Sequence, residues 1–258
     1  LICNIHGFSP RLAYCSTSLI YHLHVHRISD GALVHCIDGR FDKAPIDIDP
    51  EHARHDFSTG VQAWRETEEC MRIKTLLATE PLPASITKII AFALGDIAQP
   101  RSRQARSICQ HAMILSVRDA LDRRRGPDQP AIRCFAQDPA YNDVDEKVLG
   151  EAGITVLGDP RGFLEVDDAT VVISISPNIP VRQIVADIAR PAVLMWDMCF
   201  VCKTDPESSR VQRMVWDHYT EPVPVGEKEM FGGTSMYIRR TDAGLAEAGQ
   251  TGGVDAAE

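Results

Sequence analysis

From Thr87 onward, one pattern constrains this chain more than any other: apolar runs of strand length alternate with segments of helix length. "KIIAFALG" is a continuous apolar run stopped by Gly95, as expected for a strand buried on both faces of a parallel sheet. A helix follows from about Ser102 to Arg124, with Ile108, Ala112, Leu115 and Leu121 in its buried stripe. Gly126 and Pro127 stop it. "AIRCFAQD" reads as a second strand, "NDVDEKVLGEAG" as a short helix and "ITVL" as a third strand. After the connection "GDPRGFLEVDD", "TVVISIS" is a fourth strand, "VRQIVADIA" a helix and "AVLMWDM" a fifth strand. Strand and helix alternating at this spacing predict a three-layer α/β domain with a mostly parallel sheet.

The flanks read differently. "IYHLHVHRI" and "ALVHCI" around the turn Ser29-Asp30-Gly31 predict a hairpin. His22, His24 and His26 would lie along one side of its first strand, where they could grip a metal or simply form an exposed polar face. Residues 38–60 read as an irregular connection. "VQAWRETEECMRIKTLLATEPL" then puts Val61, Trp64, Cys70, Ile73 and Leu77 on one helical face, ended by Pro81 and Pro83. Beyond Cys199 the segments "VQRMVWDHYTEPVPV" and "GTSMYIRR" either add an edge strand or pack outside the sheet. Residues 241–258 carry four acids, no base and no aromatic residue, and are expected to be disordered. The expected organisation is thus a hairpin-and-helix extension over 1–85, the α/β domain over 86–240, and a tail.

Charge and cysteine content narrow the class. Lys+Arg number 27 against Asp+Glu 36, a net charge of −9, which argues against a default nucleic-acid binder. The charge is uneven, however. Residues 86–125 have an excess of five positive charges, mostly arginine, and Arg101, Arg103, Arg106 and Arg118 could follow a nucleic-acid backbone. Eight cysteines are too dilute for a disulfide scaffold, and Cys199-x-x-Cys202 is either half a metal site or two reduced thiols. No apolar run is long enough to span a bilayer, and the start lacks the order of a signal peptide. A cytoplasmic protein is expected, with no metal, no cofactor and no membrane partner. Its oligomeric state is left open.

In open α/β sheets, ligands sit beyond the carboxyl ends of the strands. Four such segments stand out. In "ALGDIAQPRSRQ", Gly95 permits close backbone approach. Ser102 either caps the following helix or offers a hydroxyl. The loop is neither G-x-G-x-x-G nor a P-loop, which disfavours a dinucleotide or Walker site. In "FAQDPAYNDVDEKV", Asp138, Tyr141 and Asn142 could meet a substrate. Asp143 and Glu146 have the spacing of a capping box, yet the acids around them exceed what capping needs. The excess could bind a cationic group, hold Mg²⁺ or supply an acid/base carboxylate. In "SISPNIPV", Asn178 sits in the turn, and Asp197 ends the fifth strand. His111, with Gln104 and Ser107, marks one face of the long helix, where it is either a base or a satisfied core histidine.

The segments "KIIAFALG", "RSRQARSICQHA", "CFAQDPAYNDVDEKVLGEAGITVL" and "VVISISPNIPVRQIVADI" resemble the SRR1-like domain in its fungal form. That resemblance implies a Rossmann-like core over most of Thr87–Met198. It also implies an association with regulation, including circadian and light responses in plants. The chain is more distantly similar to the fungal arginine-containing cyclodipeptide synthases, which join amino acids taken from aminoacyl-tRNAs and carry a D-D-x-x-E motif. Here Asp143 matches its second Asp and Glu146 its Glu, while Asn142 stands where the first Asp would be.

This second resemblance implies acyl transfer from aminoacyl-tRNAs, arginyl-tRNA among them, with no ATP or metal required. Asp143 and Glu146 would hold a guanidinium or move a proton, assisted by His111. The Gly95–Ser102 loop would offer N–H donors to the oxyanion, with Ser102 the candidate acyl carrier. Asp138, Tyr141, Asn142, Asn178 and Asp197 would line the substrate pocket. The alternatives are a regulatory small-molecule or nucleotide binder without catalysis, and a methyltransferase-like or reductase-like enzyme binding a diffusible cofactor near Gly95 and Asp138.

Overall fold

In a computed structural model of the chain, the described residues are 24–27, 33–36, 48–98, 104–126, 128–197, 205, 208–225, 231 and 233–241. The chain divides into two compact units, residues 1–47 and 48–258. In the first, β1 (His24–Arg27) pairs antiparallel with β2 (Leu33–Cys36), His24 opposite Cys36 and Arg27 opposite Leu33, as the intervening turn predicts. His22, Cys199 and Cys202, the side chains of His24 and His26, and the tail from residue 242 lie outside the described residues. Among those described, no three metal-ligating side chains come together, and no helix is long and apolar enough to cross a membrane.

The second unit is built on a mixed seven-stranded sheet. Its strands are β3 (Lys88–Phe92), β4 (Arg133–Gln137), β5 (Ile154–Val156), β6 (Thr170–Ser174), β7 (Val193–Asp197), β8 (Val223–Pro224) and β9 (Thr234–Ile238). They lie in the order β5-β4-β3-β6-β7-β9-β8. β3 to β7 run parallel; β9 is antiparallel to both β7 and β8. β3, β6 and β7 are buried along their whole length, which is why they read as unbroken apolar runs.

The chain steps outward from β3 to β4 and β5, then returns to the other side of β3 to lay down β6 and β7. Right-handed crossovers therefore put their helices on opposite faces. α3 (Gln104–Arg124) and α4 (Asp143–Glu151) share one core with Ile89, Ala91, Val171 and Ile173. On the other face Phe92 stacks on Phe163 of α5 (Arg161–Leu164), with ring centroids 4.3 Å apart. α6 (Val181–Ile188) and α7 (Ser209–His218) pack against each other.

The segment expected to be irregular, 38–60, instead contains most of α1 (Pro50–Arg65). The start signal is ordinary: Asp49 accepts the Glu51 N–H and Pro50 occupies the first turn. The helix expected from Val61 through the seventies is broken in two at Glu66. Thr67 caps α2 (Glu68–Thr79) through the Cys70 N–H. α1 and α2 both pack on α3, so they form an additional layer and belong with the core. This explains why α3 is buried almost all round: Ser107, Gln110, His111 and Ser116 are as enclosed as its apolar residues. Trp64 of α1 donates its indole N–H to Ser116 Oγ at 3.0 Å and meets the Phe231 ring edge-on.

The α1–α3 approach is close at Gly60, where an added Cβ would lie 2.3 Å from Ile108 Cγ2. A β-branched methyl beside the helix backbone has little room to yield. Gly60→Ala is therefore expected to destabilise the protein by about 1–3 kcal/mol despite alanine's better helix propensity. A urea-midpoint comparison checks the sign, and a stabilised variant would refute the packing.

Candidate functional site

The strand order reverses between β3 and β6, and their carboxyl ends mark the crevice where a ligand is expected. The backbone is unusual on both sides of it. Ala93, directly after β3, has φ 59°, and Ser176, just past β6, has φ 48°. A non-glycine residue in this region costs about 1–2 kcal/mol, a cost that clusters at functional positions. Gly95 also has positive φ, and a Cβ there would lie 2.8 Å from Ser107 Oγ on α3. Glycine is needed for both reasons.

The loop after β3 is held by two carboxylates from the segment after β4. Asp138 accepts the Gly95 N–H and the Ala140 N–H, each at 2.8 Å. Asp145 is fully buried; Oδ1 accepts the N–H groups of Ile97 (2.9 Å) and Ala98 (2.8 Å), and Oδ2 that of Asn142 (2.8 Å). The Gln104 amide closes the loop from α3 by donating to the Ile97 carbonyl at 3.0 Å. The N–H groups of Gly95, Ile97 and Ala98, expected to face an oxyanion, are thus turned inward onto carboxylates. Ser102, Arg101 and Arg103 lie outside the described residues.

The capping box of α4 sits one residue earlier than the Asp143–Glu146 spacing suggests. Asn142, in extended conformation, accepts the N–H groups of Val144 and Asp145, and Asp145 reciprocates on the Asn142 N–H. The reason is burial: Asp145 lies on the inward face of the helix, where it also reaches the β3 loop, whereas Asp143 and Glu146 are exposed. Asn142 Nδ2 is buried without a hydrogen-bond partner among the described residues. The cap and the loop anchor therefore use Asn142 and Asp145, and two acids of the first turn remain at the surface.

His111 is fully buried. One ring nitrogen lies 2.7 Å from the Ser107 carbonyl and the other 2.7 Å from Tyr141 Oη. A carbonyl can only accept, so Nδ1 carries the proton and the Tyr141 hydroxyl donates to Nε2. Burial pushes the imidazole down to about 4, opposed by the Ser107 bond, and pushes the Tyr141 phenol well above its usual range. Both groups are uncharged at neutral pH. They act as a strut between α3 and the start of α4.

Asp197 and Asn178 fall elsewhere. Asn178 is half-buried in the turn after β6, and Asp197 accepts from Ser176 Oγ at 3.4 Å. Asp197 also lines a cleft of about 800 Å³ together with Arg182, Trp196, Trp216 and Tyr237. None of Gly95, Asp138, Tyr141, Asn142 or Asn178 lines that cleft.

Among the described residues of the arginine stripe, Arg118 and Arg124 are engaged internally. Arg118 is half-buried, bonds Asp119 and donates to the Ala152 carbonyl at 3.3 Å. Arg124 donates to the carbonyls of Leu77, Ala78 and Glu80 and so closes the end of α2. Arg106 is exposed. Two buried features carry no sequence signal. Ser174 Oγ, at the end of β6, is enclosed without a hydrogen-bond partner among the described residues, and Asp205 forms a buried ion pair with Arg182 at 3.0 Å. One is a single hydroxyl closing an apolar run, and the other joins residues far apart in the chain.

Residues 70–223 match the SRR1 domain, and the chain belongs to that family. The matched region begins within α2 and ends at β8, so it includes part of the layer over α3 as well as most of the sheet. No curated protein matches the chain.

Proposed function

We propose that this member of the SRR1 domain family is an aminoacyl transferase on a Rossmann-like core, joining amino acids delivered on tRNA into an arginine-containing cyclic dipeptide. The observation that supports this reading is the division of labour around α4. Asn142 and Asp145 complete the cap and Asp145 holds the β3 loop, so Asp143 and Glu146 are used by neither and stand exposed on the first turn. Such a pair can take a guanidinium through charge-assisted hydrogen bonds or receive the proton of an attacking amine. The amine of one aminoacyl ester would attack the acyl carbon of the other, forming a C–N bond as the C–O bond breaks and the first tRNA hydroxyl leaves with the proton; the free amine of the resulting dipeptidyl ester would then attack its own ester carbon, closing the ring and releasing the second tRNA hydroxyl. Because aminoacyl esters arrive activated, this chemistry needs no nucleoside triphosphate site. Arg106, exposed on α3, is one arginine through which a tRNA backbone would be met.

A diffusible dinucleotide fits less well, since Asp138, which would face its ribose, has each oxygen bonded to a backbone N–H. One observation favours a regulatory binder without catalysis: His111 and Tyr141 are neutral and bonded to each other, which removes the histidine as a general base. The test is turnover of the purified full chain with a complete set of aminoacyl-tRNAs, read by mass spectrometry. The expected result is an arginine-containing cyclic dipeptide from the unaltered chain and a loss of about 100-fold or more in Glu146→Gln, with thermal stability unchanged. No product from the complete set, or full turnover in Glu146→Gln, overturns the proposal.

A further inference from the structure

The cleft between β7, β9 and α7 is independent of the α4 acids, and its walls have a definite chemistry. Trp196 and Tyr237 are buried side by side on neighbouring strands, their ring centroids 6.3 Å apart, and both line the cleft. Trp216 lines it from α7 with 78% of its surface exposed, which is unusual for tryptophan on a helix of a folded domain. At the same cleft lies the Asp197 side chain, only 3% exposed.

Arg182 is beside it but committed elsewhere: Nε donates to Asp205 Oδ2 at 3.0 Å, Nη1 to the Asp197 carbonyl at 3.4 Å, and Nη2 to the Asp205 carbonyl. Asp205 is thus the ion-pair partner of Arg182, whose charge also acts on the nearby Asp197 carboxylate without a hydrogen bond to it among the described residues. Among the described residues, no basic side chain donates to the Asp197 carboxylate. The remaining charges lining the cleft balance, Arg213 and Arg240 against Asp217 and Glu221. Burial raises the Asp197 carboxyl above its usual range, an effect that the neighbouring Arg182 charge and the hydrogen bonds from Ser176 offset only in part.

We propose that this cleft binds a small organic cation, an ammonium carried on a short aromatic stem, with Asp197 taking the ammonium and the aromatic walls taking the stem. Its volume, about 800 Å³, lies in the range of small-molecule sites. A buried carboxylate beside aromatic walls, in a cleft whose other charges balance, selects for a cation, and the tryptophan face adds cation–π attraction. A neutral isostere would bury the same area and leave the carboxylate unpaired.

The experiment is isothermal titration of the full chain with 2-phenylethylamine, and with 2-phenylethanol as its uncharged counterpart. The amine is expected to saturate in the sub-millimolar range and to bind about 10-fold tighter than the alcohol. Asp197→Asn should weaken the amine about 10-fold and leave the alcohol unaffected. Should that variant fail to fold, the exposed Trp216→Ala, whose folding is not at stake, should still weaken the amine about 3-fold. Glu146→Gln should change nothing here, which separates this site from the proposed acyl-transfer site. Equal binding of amine and alcohol, no saturable binding of the amine up to about 10 mM, or unchanged amine affinity in Trp216→Ala overturns the proposal.

Discussion

Asp145→Ala is expected to remove about 4 kcal/mol of stability. The carboxylate is fully buried and accepts three backbone N–H groups, from Ile97, Ala98 and Asn142. Each buried donor left unpaired costs about 1–3 kcal/mol, and the three losses share one cause and will not simply add. Asp145→Asn discriminates between charge and geometry. Its amide oxygen can keep Ile97 and Ala98, but its NH₂ would face the Asn142 N–H, donor against donor. A loss of about 2 kcal/mol is expected there. Denaturant midpoints for the two variants check the order. A loss below about 1 kcal/mol for alanine would mean that water replaces the carboxylate and that the β3 loop is not held by it.

The same residue shows what was legible in the sequence. Parallel strands declare themselves because burial on both faces demands unbroken apolar runs; β3, β6 and β7 could be read directly for that reason. The carboxyl-end rule then located the segments around Gly95, Asp138 and Ser176, where positive φ values and carboxylate anchors are found. It could not say which acid of the cluster turns inward. That depends on the rotational setting of α4, which is fixed by Val148 and Leu149 in the core and becomes visible only with packing. α1 was missed for a different reason. Its composition is polar, and its start signal Asp49-Pro50 lies inside a stretch dominated by aspartate, proline and histidine. The Asp197 cleft was illegible because β9, which supplies Tyr237, enters the sheet antiparallel from far along the chain.

The separation of Asp143 and Glu146 from Asp197 changes how an acidic α/β crevice should be interpreted. Acids near strand ends act in two ways here. Asp138 and Asp145 serve as acceptors for backbone N–H groups that the irregular β3 loop would otherwise leave unpaired, which is the ordinary requirement for buried backbone. Asp143 and Glu146 meet no such requirement, whereas Asp197 accepts the backbone N–H of Ser176 as well as lining the cleft. Position at a strand end therefore nominates residues, and hydrogen-bond bookkeeping sorts scaffold from site.

His111 gives the second large effect, a dependence of stability on pH. Its ordinary value is 6.5, and burial lowers it to about 4 in the folded protein. For a histidine depressed on folding, the unfolded chain binds the proton first. The contribution is fully present above about 6.5 and is lost as pH falls toward 4, at up to about 1.4 kcal/mol per pH unit. Between pH 7 and pH 5 this residue alone should cost about 2 kcal/mol. Asp197 and Asp205, raised by burial, act in the opposite sense, gaining stability as pH falls through the range just above the ordinary carboxylate value. The informative quantity is therefore the difference between the unaltered chain and His111→Gln, which keeps an acceptor for the Tyr141 hydroxyl and does not titrate. The variant should be less stable at pH 7 through imperfect packing, yet lose about 2 kcal/mol less on going to pH 5. Parallel pH profiles for the two proteins would show that His111 is not held neutral. Tyr141 Oη would then have to accept from a protonated ring, and the strut between α3 and α4 would be built the other way round.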